Sequence, residues 1–222
     1  MSDEKVLTKE IADQFLPDED SVDLGEFTAI EDAAAESLSK YEGDILSLDG
    51  LTSLSDAAAE NLSKNKAEAL SLFGLTELSD AAAENLSKYG GALGLGGLTS
   101  LSGAAAESLS GHLGWELNLD GLTTLPDETI ESLSVYEGAL GLNGLTTLSD
   151  AAAECFGDFD VHFMAVDDAE EELLGLYGLT TISDVAAASL SRVNNLDINL
   201  DNLPDSAAKI LRDAGHGADD DD

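Results

Sequence analysis

LSLDGLTSLSDAAAENLSK, residues 46–64, decides the architecture, because nearly the same words return along the whole chain. LSLFGLTELSDAAAENLSK begins at Leu70, LGLGGLTSLSGAAAESLSG at Leu93 and LNLDGLTTLPDETIESLSV at Leu117. LGLNGLTTLSDAAAE follows at Leu140 and LGLYGLTTISDVAAASLSR at Leu174, with looser copies from Val22 and Leu196. The starts at 46, 70, 93, 117 and 140 step by 24, 23, 24 and 23 residues, a period typical of units that stack into solenoids.

One copy can be read residue by residue. L-x-L alternates with period two and predicts a short strand with one buried face. G-L-T-x-L follows, where glycine is expected to permit a turn and two more leucines point inward. S-D-A-A-A-E-x-L-S predicts a short helix capped by Ser55, Ser79 or Ser149, with Asp56, Asp80 or Asp150 in the first turn, where negative charge suits the helix dipole. Ala58, Ala59 and Leu62 should face inward, as should Ile130 and Leu133 in the copy from Leu117. Tyr41, Tyr89, His112 and Tyr136 share one position after the helix, and Gly43, Gly91, Gly114 and Gly138 lie two residues on, as expected left-handed helix stops. No copy can bury its apolar side alone, so stability must come from neighbours.

The pattern L-x-L-x-G-L-T-x-L-S-D-x-A-A-x-x-L-S resembles the leucine-rich repeat family, closest to its bacterial and cysteine-containing variants, over roughly residues 22–215. The resemblance implies an α/β solenoid of about eight strand–helix repeats, with a parallel sheet on a concave face and helices on a convex one. The chain departs from the best-known form by placing Leu51, Leu75, Leu98, Leu122, Leu145 and Leu179 where a ladder of asparagines usually sits.

The composition sets bounds on function. Forty-six acidic residues face nine basic ones, a formal net charge of −37, and no Lys or Arg occurs between Lys88 and Arg192. Nucleic-acid backbones and anionic membranes both require cations, so neither is an expected partner. The acid excess fits a solvated helix face adapted to screening salt, or weak binding of divalent cations or of a basic partner. MSDEKVLTKE does not read as a secretory signal, no window is apolar enough for a membrane span, and Cys155 has no cysteine to pair with; a cytoplasmic location is expected.

Three segments flank or interrupt the array. Residues 1–21 read as a capping helix and link, with Leu7, Ile11 and Phe15 on one stripe of a helix over 2–16 that Pro17 stops. Residues 216–222 read as a disordered acidic tail. The step from Leu140 to Leu174 is 34 residues, and the surplus marks an insert at 156–173 that holds Phe156, Phe159 and Phe163. It reads either as a wall for a partner or as a decayed repeat whose aromatics cover the core. Asp158, Asp160 and His162 alternate there and are the best metal candidates, but they lack the spacing of a calcium loop.

Catalytic signatures are missing. The recurrent serines are explained by capping, GALGLGG at 91–97 carries the leucines of a strand, and His112 occupies a ring position of the repeat. Cys155 has no cationic neighbour in sequence to activate it. Expected cofactors are none, and an enzyme is not expected. What remains is the outward face of the sheet, which carries Ser47, Ser71, Gly94, Asn118, Gly141 and Gly175 in one row and Asp49, Phe73, Gly96, Asp120, Asn143 and Tyr177 in the next. Its glycines are expected to admit a foreign backbone, and Phe73 and Tyr177 stand four repeats apart, about 19 Å at usual strand spacing. The expected function is a non-catalytic scaffold that binds a protein partner through Phe73, Tyr177, Asn118 and Asn143, with Phe159 and Phe163 of the insert beside them. A self-associating structural protein and a weak divalent-cation binder are the alternatives.

Overall fold

The computed structural model of the chain describes residues 5–157 and 174–217. It is an α/β array in which short strands and short helices alternate. The strands are β3 (Ile45–Ser47), β4 (Ala69–Ser71), β5 (Ala92–Gly94), β6 (Glu116–Asn118), β7 (Ala139–Gly141), β8 (Leu174–Gly175) and β9 (Leu196–Asp197). They form one seven-stranded parallel sheet in chain order. The equivalent leucines share a single register, Leu46 beside Leu70, then Leu93, Leu117, Leu140, Leu174 and Leu196. All seven are buried, and their neighbours Leu48, Leu72, Leu95, Leu119, Leu142 and Leu176 are fully so. Burying such a side chain contributes about 1.5–3 kcal/mol, and only the adjacent coils supply the contacts that do it.

The helices are α2 (Asp32–Leu38), α3 (Asp56–Leu62), α4 (Asp80–Leu86), α5 (Gly103–Leu109), α6 (Asp127–Leu133), α7 (Asp150–Gly157), α8 (Asp184–Leu190) and α9 (Asp205–Asp213). Most are seven residues long, too short to persist alone, so tertiary packing must hold them. Each packs on the next in sequence. Alanine makes that possible: Ala58, Ala59, Ala82, Ala83, Ala105 and Ala106 are fully buried and bring helix and sheet close. As expected, Ser55, Ser79 and Ser149 cap their helices, each hydroxyl oxygen accepting an N–H three residues on at 3.0 Å.

The capping serines do a second job that the sequence pattern does not announce. Each also donates its hydroxyl to the first-turn aspartate of the preceding helix: Ser55 to Asp32, Ser79 to Asp56 and Ser102 to Asp80, each at 2.5 Å. Ser149 donates to Asp127 at 2.8 Å and Ser183 to Asp150. This ladder is missing its rung where Gly103 replaces the aspartate, and there Pro126 replaces the serine of the next coil. Acceptor and donor are absent together, so no half-satisfied partner remains. A threonine ladder runs beside it, with Thr52 Oγ1 donating to the Thr28 carbonyl and Thr99 Oγ1 to that of Thr76, both at 3.2 Å.

The G-L-T glycines lie in turns as expected, but the expected left-handed helix stops are overturned. Among the described glycines only Gly215 and Gly217 have positive φ, so those after the repeat helices are not left-handed stops and those of G-L-T turn without a left-handed backbone. They are sites of close approach. A Cβ at Gly50, Gly74, Gly97, Gly121, Gly144 or Gly178 would overlap a backbone carbonyl of the preceding coil. The helices end instead on right-handed serines such as Ser63, whose hydroxyl donates to the Glu60 carbonyl at 2.9 Å.

The ends also differ from expectation. The N-terminal helix α1 runs only from Lys9 to Phe15, because Val6–Leu7 forms a strand, β1, parallel to Ala29–Ile30, β2. Leu7 is buried as expected, but from a strand, and the Leu7 carbonyl accepts the Glu31 N–H at 3.0 Å. The copy from Val22 makes no strand in the main sheet: Glu19–Ser21 and Leu24–Glu26 are 3-10 turns. Asp23 is the reason, since its side chain accepts the Gly25 N–H at 2.9 Å and bends the backbone out of a ladder. Among the described residues eight repeat helices are therefore matched by seven sheet strands. At the surplus step, α7 extends through Phe156 and Gly157, so the expected insert start at 156 is too early; both are buried. Strand β7 still pairs with β8, and α7 still packs on α8.

A ring ladder fills the inner side of the loops. Tyr89 donates to the Ala67 carbonyl at 2.6 Å and Tyr136 to that of Gly114 at 2.9 Å, with His112 between them at ring distances of 6.4 and 6.0 Å. Burial pushes the Tyr89 phenol up to about 12. Burial holds the His112 imidazole below its ordinary pKa, opposed in part by the backbone at Ser87, Gly91 and Glu116.

Two outcomes are expected in urea unfolding. Gly97→Ala, whose Cβ would overlap the Phe73 carbonyl, destabilises by about 3 kcal/mol, whereas Gly103→Ala, with open space at the first helical position, gains about 0.5 kcal/mol. An unchanged midpoint for Gly97→Ala would contradict the close-approach account. For His112 the unfolded chain takes up a proton before the folded one does. Its contribution is therefore complete above the ordinary histidine pKa, falls as pH drops through that value toward the lower folded pKa, and is constant below it. The stability difference between wild type and His112→Tyr must change with that sign between pH 8 and pH 5; a constant difference removes the claim.

Candidate functional site

The helices cover one face of the sheet and leave the other open, so the outward residues of the strands are the natural place to look for a site. Phe73 and Tyr177 are 48% and 53% exposed there. The polar residues between them are already engaged. Asp49 Oδ1 accepts the Ser71 hydroxyl at 2.5 Å and the Phe73 N–H at 3.0 Å. Asp120 Oδ1 accepts the Asn143 N–H at 2.8 Å, and Asn143 Oδ1 accepts the Tyr177 N–H at 3.0 Å. Asn118 bonds Asp120 twice, its Nδ2 donating to Oδ2 at 2.8 Å and its Oδ1 accepting the Asp120 N–H at 3.1 Å.

These contacts give the side chains a structural task. An acceptor in one coil holds the main-chain N–H of the same position in the next, which is the work an asparagine ladder would do at the leucine positions behind it. Of the expected partner-binding asparagines, Asn143 is part of this clamp and Asn118 braces Asp120 within its own coil. They present to a ligand only the capacity left over.

The expectation that the strand glycines admit a foreign backbone also fails. A Cβ at Gly94 would stand 2.8 Å from the Phe73 ring, and one at Gly96 would be 3.2 Å from it. At Gly175 the space is taken by the Asn143 amide, 2.7 Å away, and at Gly141 by Asp120 Oδ1 at 2.9 Å. Glycine is needed because the previous coil lays its own side chain across it. Phe73 breaks the acceptor ladder, and the next coil supplies two glycines that seat its ring.

A groove of about 480 Å³ opens on this face over β6, β7 and β8. Trp115 and Glu116 stand at the entry of β6, Asp120 follows that strand, Asp197 comes from β9, and Gly141 and Gly175 lie along the floor. Trp115, 38% exposed, was not among the expected site residues. Its signal was available: it is the only tryptophan in the chain, at a position where other copies carry Asp44 or Glu68. A second groove, about 430 Å³, lies between β3 and the 3-10 turns of the first coil, against Tyr41 and Ile45.

The other candidates divide by location. Phe159, Phe163, Asp158, Asp160 and His162 lie outside the described residues. Among the described residues no group of three His, Cys, Asp or Glu side chains could hold a metal, and no helix is long and apolar enough to cross a membrane. Cys155 is half-buried in α7, and burial, with Glu131, Glu154 and Asp127 nearby, pushes its thiol pKa up, which disfavours the nucleophilic thiolate.

If the clamp is structural, Asn143→Ala lowers stability by about 1 kcal/mol by leaving the Tyr177 N–H without its acceptor, while Asn143→Asp, which keeps an acceptor oxygen, costs less. Equal urea midpoints for wild type and the alanine variant would refute it. Comparison with protein-family models and with curated proteins finds no match to this chain.

Proposed function

We propose that the chain is a leucine-rich repeat scaffold of the kind its pattern resembles, working without catalysis in the cytoplasm and binding a protein partner through the open face of its sheet. The observation that carries this reading is the exposure of Phe73 and Tyr177 on a face whose polar groups are otherwise tied into cross-coil clamps. A face so braced is rigid and loses little conformational entropy on docking, and aromatic side chains supply the anchors that dominate interface energies. The Phe73 ring rests on Gly94 and Gly96, so it is held in place before any partner arrives.

The test uses a partner captured from native lysate at low and high salt and then purified. Phe73→Ala with Tyr177→Ala should weaken its affinity by about 10- to 100-fold, corresponding to about 1–3 kcal/mol. Val185→Ala, at an exposed apolar residue of α8 on the helix side, should leave affinity unchanged. Unaltered affinity in the aromatic pair would rule out the open-face site.

A further inference from the structure

We infer that the free edge of β3 is a separate docking site, which takes an extended, basic segment of a partner protein as an added strand. The inference goes beyond the open-face reading and does not rest on it. Each strand from β4 to β9 is bonded in the same way by the coil before it. The carbonyls of Ser71, Gly94 and Asn118 accept the N–H of Leu48, Leu72 and Leu95, each at 2.9 Å, and Asp197 in β9 still does this for Leu176 at 2.8 Å. In return Ala69 and Ala92 donate to the carbonyls of Asp44 and Glu68, at 3.0 and 2.8 Å.

At β3 neither bond is made among the described residues. Ser47 holds the register position of Ser71, and Ile45 that of Ala69. The N–H that the Ser47 carbonyl would meet is that of Leu24, which lies in the 3-10 turn closed by Asp23. The Ser47 carbonyl and the Ile45 N–H are thus left without a main-chain partner among the described residues, on a strand whose two outer members are exposed. An unpaired edge of this kind is a template for a further strand.

The space beside the edge says what kind of strand fits. The groove of about 430 Å³ between β3 and the first coil is lined by the apolar surfaces of Phe15, Val22, Leu24, Tyr41 and Ile45. Ile45 is 60% exposed on it, so an entering segment covers apolar surface as well as pairing its main chain. Charge then separates the occupants. Glu19 and Asp23 also line the groove and accept from neutral donors, the Tyr41 hydroxyl and the Gly25 N–H, both at 2.9 Å. No lysine or arginine lines it. A second copy of this chain, with a net charge of −37, is repelled, whereas a segment that alternates β-branched and basic residues is attracted.

The test follows main-chain amides by NMR. The full chain, isotope-labelled, is titrated at low salt with acetyl-Lys-Val-Lys-Val-Lys-amide, and with the same peptide N-methylated along its main chain. The second peptide keeps every side chain and charge but cannot complete a ladder. Saturable shifts are expected at Ile45, Ser47 and Leu24–Glu26, with solvent exchange of the Ile45 N–H slowed at least tenfold and the methylated peptide at least tenfold weaker. Ile45 is the first residue of β3, a place where an edge strand tolerates proline. Ile45→Pro removes the N–H and should weaken the peptide at least tenfold (about 1.4 kcal/mol), while Ile45→Ala, which keeps it, should cost about threefold. If Ile45→Pro does not fold, the exchange rate of the wild-type Ile45 N–H decides. Equal binding of the methylated peptide, equal effects of the two Ile45 variants, unslowed Ile45 exchange, or no saturable shift up to about 5 mM (about 3 kcal/mol of binding) each overturns the inference. Shifts at these amides that grow with protein concentration in the absence of peptide assign the edge to a second copy and overturn it too. Phe73→Ala with Tyr177→Ala should leave the peptide affinity within twofold; a loss as large as that of Ile45→Pro puts the peptide on the open face and removes the edge site, whereas the open-face reading stands or falls on the captured partner alone.

Discussion

Crowding between the backbones of successive coils governs this structure. Strands in one sheet sit about 4.8 Å apart, and the turn after each strand must follow its neighbour at that distance. At the glycine of G-L-T the preceding coil's carbonyl occupies the place where a side chain would begin. Everything else can then be arranged at the same spacing. The leucines fall into register, serine reaches the aspartate of the coil before it, threonine reaches the previous threonine carbonyl, and an acidic or amide side chain reaches the next main-chain N–H. Each cross-coil bond adds little on its own, about 0.5–1.5 kcal/mol, yet each fixes the register that lets apolar burial succeed.

Much of this was legible in the sequence, and the reason is physical. Leucine spacing, serine caps and buried alanines are local signals that repeat, so agreement between copies averages out noise. What was not legible depends on a neighbour. That Ser79 both caps its helix and donates to Asp56 requires knowing which residues of two coils face each other. That Gly94 is roofed by Phe73 requires a side-chain direction. The first coil misled because Asp23 can satisfy a turn within three residues, a local bond that competes with a ladder. The strand at Val6–Leu7 was hidden because leucine and valine fit a helix stripe as well as a strand, and the pairing with Ala29–Ile30 decided between them. On the open face the aromatic positions were legible from the repeat, whereas the groove was not, because its walls come from β6 and β9 and the floor from the strands between.

Charge has a smaller part in holding the fold than its excess suggests. Ion pairs such as Lys64 with Glu60 and Lys66 with Glu42 join side chains that are more than half exposed, and water screens them. Carboxylates such as Glu107, Glu128 and Glu154 stand on exposed helix surface, where they oppose association of like molecules. The core tolerates this because its members are apolar and because the buried rings of Tyr89, His112 and Tyr136 stay neutral near pH 7.

The cross-coil contacts are directional: an upper surface of one coil meets a lower surface of the next, and the two are not alike. Such a head-to-tail junction has no built-in terminus, and identical units joined this way generate an open filament instead of a closed ring. At both margins of the sheet the chain departs from the repeat. Ahead of β3 the backbone coils into 3-10 turns and α1 lies on α2, while beyond β9 Leu200–Asn202 is again a 3-10 turn. The outermost coils thus offer a second copy a surface unlike the one that joins coil to coil inside the molecule.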